Sequence, residues 1–305
     1  MNDLLRRAVF VAWLSIVLVQ SNLGWSAPPA AVAEKPTATT ASGIQGQRML
    51  SAGHSFHVFM PRILEDIAKQ AGVKDHKQVA LSSIGGSRVI QHWDRPADQN
   101  VAKKALETGE VDVFTMSPIY LPDEGIEKFV NLAVEKNPKI RIYVQEFWLP
   151  FDIYDPTFKN RPKEVDHNAP TKESLREMHA PYFKMIEDHV SELNKKLGKQ
   201  TIFVTPVGQA VIALREKILD GKAPGLKQQQ DLFTDAIGHA KPPLQALVAY
   251  CHYATVYGKS PVGLPKPAVL GGADSPYSDE LNKLLQELAW QAAIEHPMSG
   301  VKANR

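Results

Sequence analysis

Residues 48–71 read RMLSAGHSFHVFMPRILEDIAKQA. Arg48 to Ala52 is a short, mostly apolar run ending in Gly53, and it predicts a first strand. After the turn the period changes. Phe59, Ile63, Ile67 and Ala71 recur four residues apart, which puts them on one face of a helix over Val58 to Ala71. A strand, a glycine turn and an amphipathic helix form the opening of a βαβ unit.

The same alternation continues along the chain. Gln78 to Ser83 predicts a second strand, followed by Gly85-Gly86. Ala97 to Thr108 predicts a polar helix with Gly109 as its stop, and Val111 to Met116 a third strand. Pro122 opens a helix whose first turn carries Asp123 and Glu124, the charges a helix amino terminus favours. Lys139 to Phe147 is a fourth strand, Lys172 to Leu197 a long helix, and Thr201 to Val207 a fifth strand. Helices over 209–220, 242–257 and 279–294 complete the pattern. It predicts an α/β fold, with a five-stranded parallel sheet between two helical layers.

Toward the amino terminus the character changes. Arg6 and Arg7 precede an apolar run from Ala8 to Val19, and Leu23-Gly24-Trp25-Ser26-Ala27 follows. This order of basic, apolar and small residues predicts a signal peptide over 1–27, with an uncleaved anchor as the alternative. The run is shorter than the ~20 residues that span a bilayer, so no membrane span is expected in the mature chain. Residues 28–47 are rich in Ala, Pro, Thr, Ser and Gly and read as a flexible linker to one domain over 48–305. The expected location is therefore periplasmic or extracellular.

The composition is that of an ordinary globular protein, with 44% hydrophobic and 22% charged residues. The formal net charge of +2 gives no electrostatic reason to expect a nucleic-acid partner. A single cysteine, Cys251, excludes an intrachain disulfide and a multi-thiolate zinc site.

In an open parallel sheet, ligands bind beyond the carboxyl ends of the strands. The residues there are Gly53-His54-Ser55, Gly85-Gly86-Ser87, Ser117-Pro118, Trp148-Leu149-Pro150 and Gly208-Gln209. Ser55 in a tight strand-to-helix turn has two readings. It is a cap for the following helix, or a nucleophile beside backbone N–H groups that hold an oxyanion. The stricter G-x-S-x-G pattern is not met, because His57 stands two residues on. Late in the chain, Asp231-Leu232-Phe233-Thr234-Asp235-Ala236-Ile237-Gly238-His239 can return to the same sheet edge. Serine, aspartate and histidine in that order can supply a nucleophile, an orienting carboxylate and a general base. The other reading is a surface loop with a solvated histidine.

Taken together, Gly53-His54-Ser55, Gly85-Gly86 and Asp235 to His239 resemble the SGNH (GDSL-like) hydrolases across about residues 48–260. The runs 145–150, 206–210 and 257–264 are similar to an uncharacterised, secreted bacterial branch of that family. The resemblance implies a flavodoxin-like αβα sandwich that cleaves esters of lipids or carbohydrates without a metal or organic cofactor. It also implies Ser55 as nucleophile, His239 as base and Asp235 as its orienter. The N–H groups of Ser55 and Gly86, or Gly85, would hold the oxyanion. There are two departures. Thr115-Met116-Ser117-Pro118 stands where the family has a glycine and an asparagine, leaving Ser117 as the nearest side-chain donor. Asp235 stands four residues before His239 where the family has three.

Other residues carry two readings each. His54 and His57 are substrate or metal contacts, or polar loop residues. Trp148 and Tyr120 stack on a sugar, or pack the sheet edge. Gln209 is a ligand donor or a helix-end residue, and Glu146 faces the core or the cleft. The segment 150–170, with Asp152, Asp155, Asp166 and His167, is a lid or a solvated loop. The expectation is an exported serine esterase acting on a small-molecule or carbohydrate ester. The alternative is a carbohydrate-binding protein that kept the fold and lost the chemistry.

Overall fold

The computed structural model describes residues 43–271 and 275–302. The expected signal peptide, and residues 28–42 of the expected linker, lie outside the described residues. The rest of that linker is docked. Gln45 forms an isolated parallel bridge with Lys74, whose N–H donates to Ile44 O at 3.2 Å.

Five strands form one parallel sheet: β1 (Arg48–Gly53), β2 (Lys77–Ser83), β3 (Val113–Met116), β4 (Arg141–Glu146) and β5 (Ile202–Pro206). Their order is β2-β1-β3-β4-β5, the flavodoxin-like order. Every residue of β3 is buried, as is all of β4 after Arg141. Parallel strands covered on both faces read as continuous apolar runs, which is why they stood out. β2 is an edge strand and alternates instead, with Val79 and Leu81 partly exposed.

The helices are α1 (Met60–Gln70), α2 (Val89–Trp93), α3 (Val101–Glu107), α4 (Glu124–Lys136), α5 (Lys172–Leu197), α6 (Val207–Leu219), α7 (Pro242–Tyr257) and α8 (Asp279–Glu295). α1 packs on α7 and α7 on α8, while α2 and α3 pack on α4. α5 lies against β4 and β5, and α6 joins α5 to α7 and α8. In α7 every residue from Ala246 to Val256 is buried, including the inert Cys251 thiol, whose ionisation burial suppresses. A helix apolar on all sides belongs in the interior.

The expected helix over 97–108 is shorter, and α2 precedes it. The reason is Asn100. Its Oδ1 accepts from Lys103 N at 2.9 Å, which starts α3, while its Nδ2 donates to His92 O and Trp93 O at the end of α2. One side chain caps both helices.

His57, His92 and His179 are buried, and burial is the main cause holding each near 4; His54 is held to about 3 by burial first and by neighbouring histidines second. All four stay neutral in the fold, whereas in the unfolded chain each titrates near 6.5. Between those values the unfolded state binds more protons, so stability rises with pH. The urea midpoint is therefore expected to fall progressively from pH 7 to pH 4, with a slope of several protons. A midpoint flat across that range would contradict neutral, buried histidines.

Candidate active site

β1 ends at Gly53, and the chain turns through His54 and Ser55 toward α1. A Cβ on Gly53 would sit 2.9 Å from the His57 ring, so the turn closes this tightly only with glycine. Ser55 does not cap the helix. The N-cap of α1 is Phe59, which has no side-chain cap bond. Instead Ser55 Oγ lies 2.8 Å from His239 Nε2, and His239 Nδ1 lies 2.6 Å from Asp235 Oδ2. The three groups are satisfied together when Ser55 donates to Nε2 and the Nδ1–H donates to the carboxylate.

Asp235 reaches His239 despite the longer spacing because the intervening chain folds back on it. Its Oδ1 accepts the N–H groups of Gly238 and His239, both at 3.1 Å. Burial pushes the Asp235 carboxyl up, but hydrogen bonds from the His239 ring and backbone outweigh it and hold the group below the usual range.

The relay opens on a cleft of about 480 Å³. Its polar lining comprises His54, Ser55, Arg161, His239 and the glycines 85 and 86. Phe56, Ile119, Pro150, Phe158 and Ile237 supply the apolar lining. Gly86 adopts φ +57°, a conformation that favours glycine. The backbone N–H groups of Ser55 and Gly86 have no acceptor among the described residues, so both can donate to an oxyanion.

Four sequence-based candidates sit elsewhere than expected. Ser117 is fully buried, and its Oγ lies 3.2 Å from His54 Nε2; the residue from that loop that lines the cleft is Ile119. Ser117 supports His54, whose Nδ1 accepts from Phe56 N at 3.3 Å. Trp148 is 1% exposed, stacks on Phe56 at 4.4 Å and donates Nε1–H to Gly238 O at 2.9 Å. It braces the Asp235–His239 loop from beneath and offers no face to a ligand. Gln209 lies on the first turn of α6 and lines a separate groove with residues of α5 and α8. Tyr120 lies outside the cleft as well, under the Arg88 guanidinium at 5.0 Å.

His54 lines the cleft, but His57 points beneath it. His57 Nδ1 lies 2.8 Å from Gln145 Oε1, and its Nε2 lies 3.0 Å from Thr115 Oγ1. Gln145 also donates to Phe56 O at 3.0 Å and accepts from His252 Nε2 at 2.8 Å. A buried polar layer therefore fixes the two residues that follow Ser55.

The segment 150–170 is a fixed wall of the cleft. Arg215, fully buried on α6, donates Nη1 to Asp152 Oδ1 at 2.5 Å and Nη2 to Asp152 Oδ2 at 3.0 Å. Its Nη2 also reaches His167 O, and its Nε reaches Gln229 Oε1. His167 Nδ1 lies 2.8 Å from Asp152 Oδ2, and its Nε2 lies 2.9 Å from the backbone oxygen of Asp235. Phe151 N–H donates to Ile237 O at 3.2 Å. Phe151, Asp152 and Phe158 all adopt positive φ, near 60°, 52° and 53°, a strain the surrounding bonds must hold. Arg215 carried a signal in the sequence. It stands at helical spacing between Val211 and Ile218, a charge on an apolar stripe.

One cluster has a metal-ligand composition. Glu146, Glu187 and His296 bring one ligand atom each within 4.8 Å of one another, away from the cleft. Glu146 faces the interior, where burial, reinforced by Glu187, pushes its carboxyl well above the usual range. His296 Nδ1 accepts from Met298 N at 3.1 Å, so in the neutral ring Nε2 carries the proton and points it at Glu187 Oε1, 3.1 Å away. A metal there requires His296 to surrender that proton.

No protein-family model matches this sequence, and no curated protein sequence matches it. Among solved structures, a DUF4886 family protein from Bacteroides uniformis superposes with a TM-score of 0.54 at 13% identity, covering 82% of this chain and 95% of that one. A candidate GDSL-like lipase from Parabacteroides merdae covers 71% of this chain and 99% of its own, at 13% identity and a TM-score of 0.41. At this identity the likeness to the first establishes a shared α/β fold and nothing of the reaction.

The Arg215 cluster predicts a stability effect. Replacing Arg215 with Met leaves the Asp152 carboxylate buried against His167 with no guanidinium. Urea unfolding of Arg215→Met is expected to lose about 3–5 kcal/mol. A loss below about 1 kcal/mol, the range of exposed pairs, would mean that the cluster does not hold the loops.

Proposed function

We propose that this chain is an exported serine ester hydrolase. The observation that carries the reading is the continuous relay from Asp235 through His239 to Ser55, at 2.6 and 2.8 Å, opening on a cleft with free backbone donors. In the first half-reaction Ser55 Oγ attacks the ester carbonyl and His239 Nε2 takes its proton. Asp235 holds the imidazole in the required tautomer and balances the imidazolium. The N–H groups of Ser55 and Gly86 receive the oxyanion. Collapse expels the alcohol, which leaves with the proton from His239. Water then attacks the acyl-serine with His239 again as base, releasing the acid and restoring Ser55. The reaction as written needs no cofactor.

The preferred substrate is an acylated carbohydrate. That preference rests on the sequence resemblance and on the leader-like order of residues 1–27, which supports export. Among the described residues no helix is long and apolar enough to cross a membrane.

A fluorophosphonate is expected to add once per chain, on Ser55, as read by intact mass and peptide mapping. Ser55→Ala should abolish labelling and ester turnover with a Tm within a few degrees of the parent. Asp235→Asn, which upsets the tautomer but keeps the shape, should cut kcat by roughly 10³–10⁴. A parent chain that resists labelling at every pH, yet binds oligosaccharides on an array, would replace the esterase reading with the binding one.

A further inference from the structure

Arg161 is absorbed by neither the relay nor the scaffold. It lines the cleft with Ser55 and His239, at the end of a turn built to hold it still. Asp155 clamps that turn, accepting Thr157 N and Oγ1, Lys159 N and Asn160 N at 2.6–2.9 Å. Those bonds hold its carboxyl far below the usual range. Phe158, at the centre of the turn, takes φ 53° and offers its ring to the guanidinium, whose carbon lies 4.7 Å from the ring centroid. Arg161 Nε donates to Phe158 O at 3.0 Å. The ring contact and one backbone bond thus hold the guanidinium at the cleft, while both terminal amino groups lack a partner among the described residues.

The surroundings are equally specific. Among the described arginines Arg48, Arg88, Arg176 and Arg215 each meet a carboxylate, and of the four that do not (Arg62, Arg95, Arg141 and Arg161) Arg161 is the one that lines the cleft. Among the described residues no carboxylate lines the cleft, and Asp155 is committed to its turn. His54, held neutral by burial, adds no charge of its own. A planar guanidinium held by its Nε in a part-apolar cleft, with both terminal amino groups free among the described residues, is suited to bidentate recognition of an oxyanion such as a carboxylate. We propose that Arg161 selects esters carrying a carboxylate, and that the substrate of the relay is an acidic ester. This rests on the esterase reading above. The carboxylate comes from the acyl part or from the alcohol part of the substrate, and the test separates the two.

Four esters resolve it, with each rate normalised to alkaline hydrolysis. The 4-nitrophenyl hydrogen adipate and 4-nitrophenyl methyl adipate pair places the charge on the acyl side. The 4-acetoxybenzoate and methyl 4-acetoxybenzoate pair places it on the alcohol side. The parent chain is expected to prefer the acid in one pair by about tenfold in kcat/KM, less at high salt. Arg161→Gln should collapse that ratio, and Arg161→Glu should invert it. The side chain is exposed, so both variants should keep the parent Tm. Equal rates within both pairs, or a preference that survives Arg161→Gln, would overturn the proposal. So would an equal loss on acid and neutral esters, because Arg161 would then act at the reacting carbonyl. Turnover of none of the four esters, with no fluorophosphonate adduct, would defeat the esterase reading itself.

Discussion

The Arg215 guanidinium is the constraint on which the site depends. A fully buried cation is tolerable only when charge and hydrogen bonds are satisfied together. Here Asp152 supplies the charge, and Gln229 and the His167 carbonyl supply further acceptors. Asp152 and His167 stand at the two ends of the 150–170 segment and Gln229 on the segment after α6, so satisfying one guanidinium gathers both segments onto α6. His167 passes the constraint on by donating to the backbone oxygen of Asp235, and Trp148 adds a second brace at Gly238. Asp235 and His239 can therefore be partly exposed, as a site open to substrate requires, while the backbone beneath them is held from the interior.

The sheet was legible because its physics is local. Parallel strands buried on both faces write continuous apolar runs, and the capped helices between them write a four-residue period. That Ser55 and His239 could meet was legible for a related reason, because strand ends in such a sheet face one edge. What the sequence withheld depends on contacts far apart in the chain. Ser117 follows a strand as an oxyanion donor would, but it turns inward to His54. Trp148 follows a strand as a stacking platform would, but Phe56 and Gly238 draw it under the loop. The segment 150–170 looks like solvated loop because its charges are read without Arg215, which stands at least 45 residues further along. Arg161 carries no local pattern at all, since an exposed arginine in a loop gains meaning only from the cleft beside it.

In the esterase reading, the loop after β3 sets how precisely this scaffold must work. After β3 the residue lining the cleft is Ile119, whose side chain has no hydrogen bond to offer an oxyanion. In the esterase reading the oxyanion is then left to the backbone donors of Ser55 and Gly86. A side-chain donor can adjust by a rotamer change, but a backbone donor goes where its peptide plane goes. The buried layer beneath the turn therefore acquires a functional meaning. Gln145 grips Phe56 O and the His57 ring, Thr115 holds the other side of that ring, and Gly53 lets the chain pass against it. Preorganised donors act by being in place before charge develops. A site that relies on backbone donors alone requires a stiffer turn, and the polar layer under Ser55 supplies it.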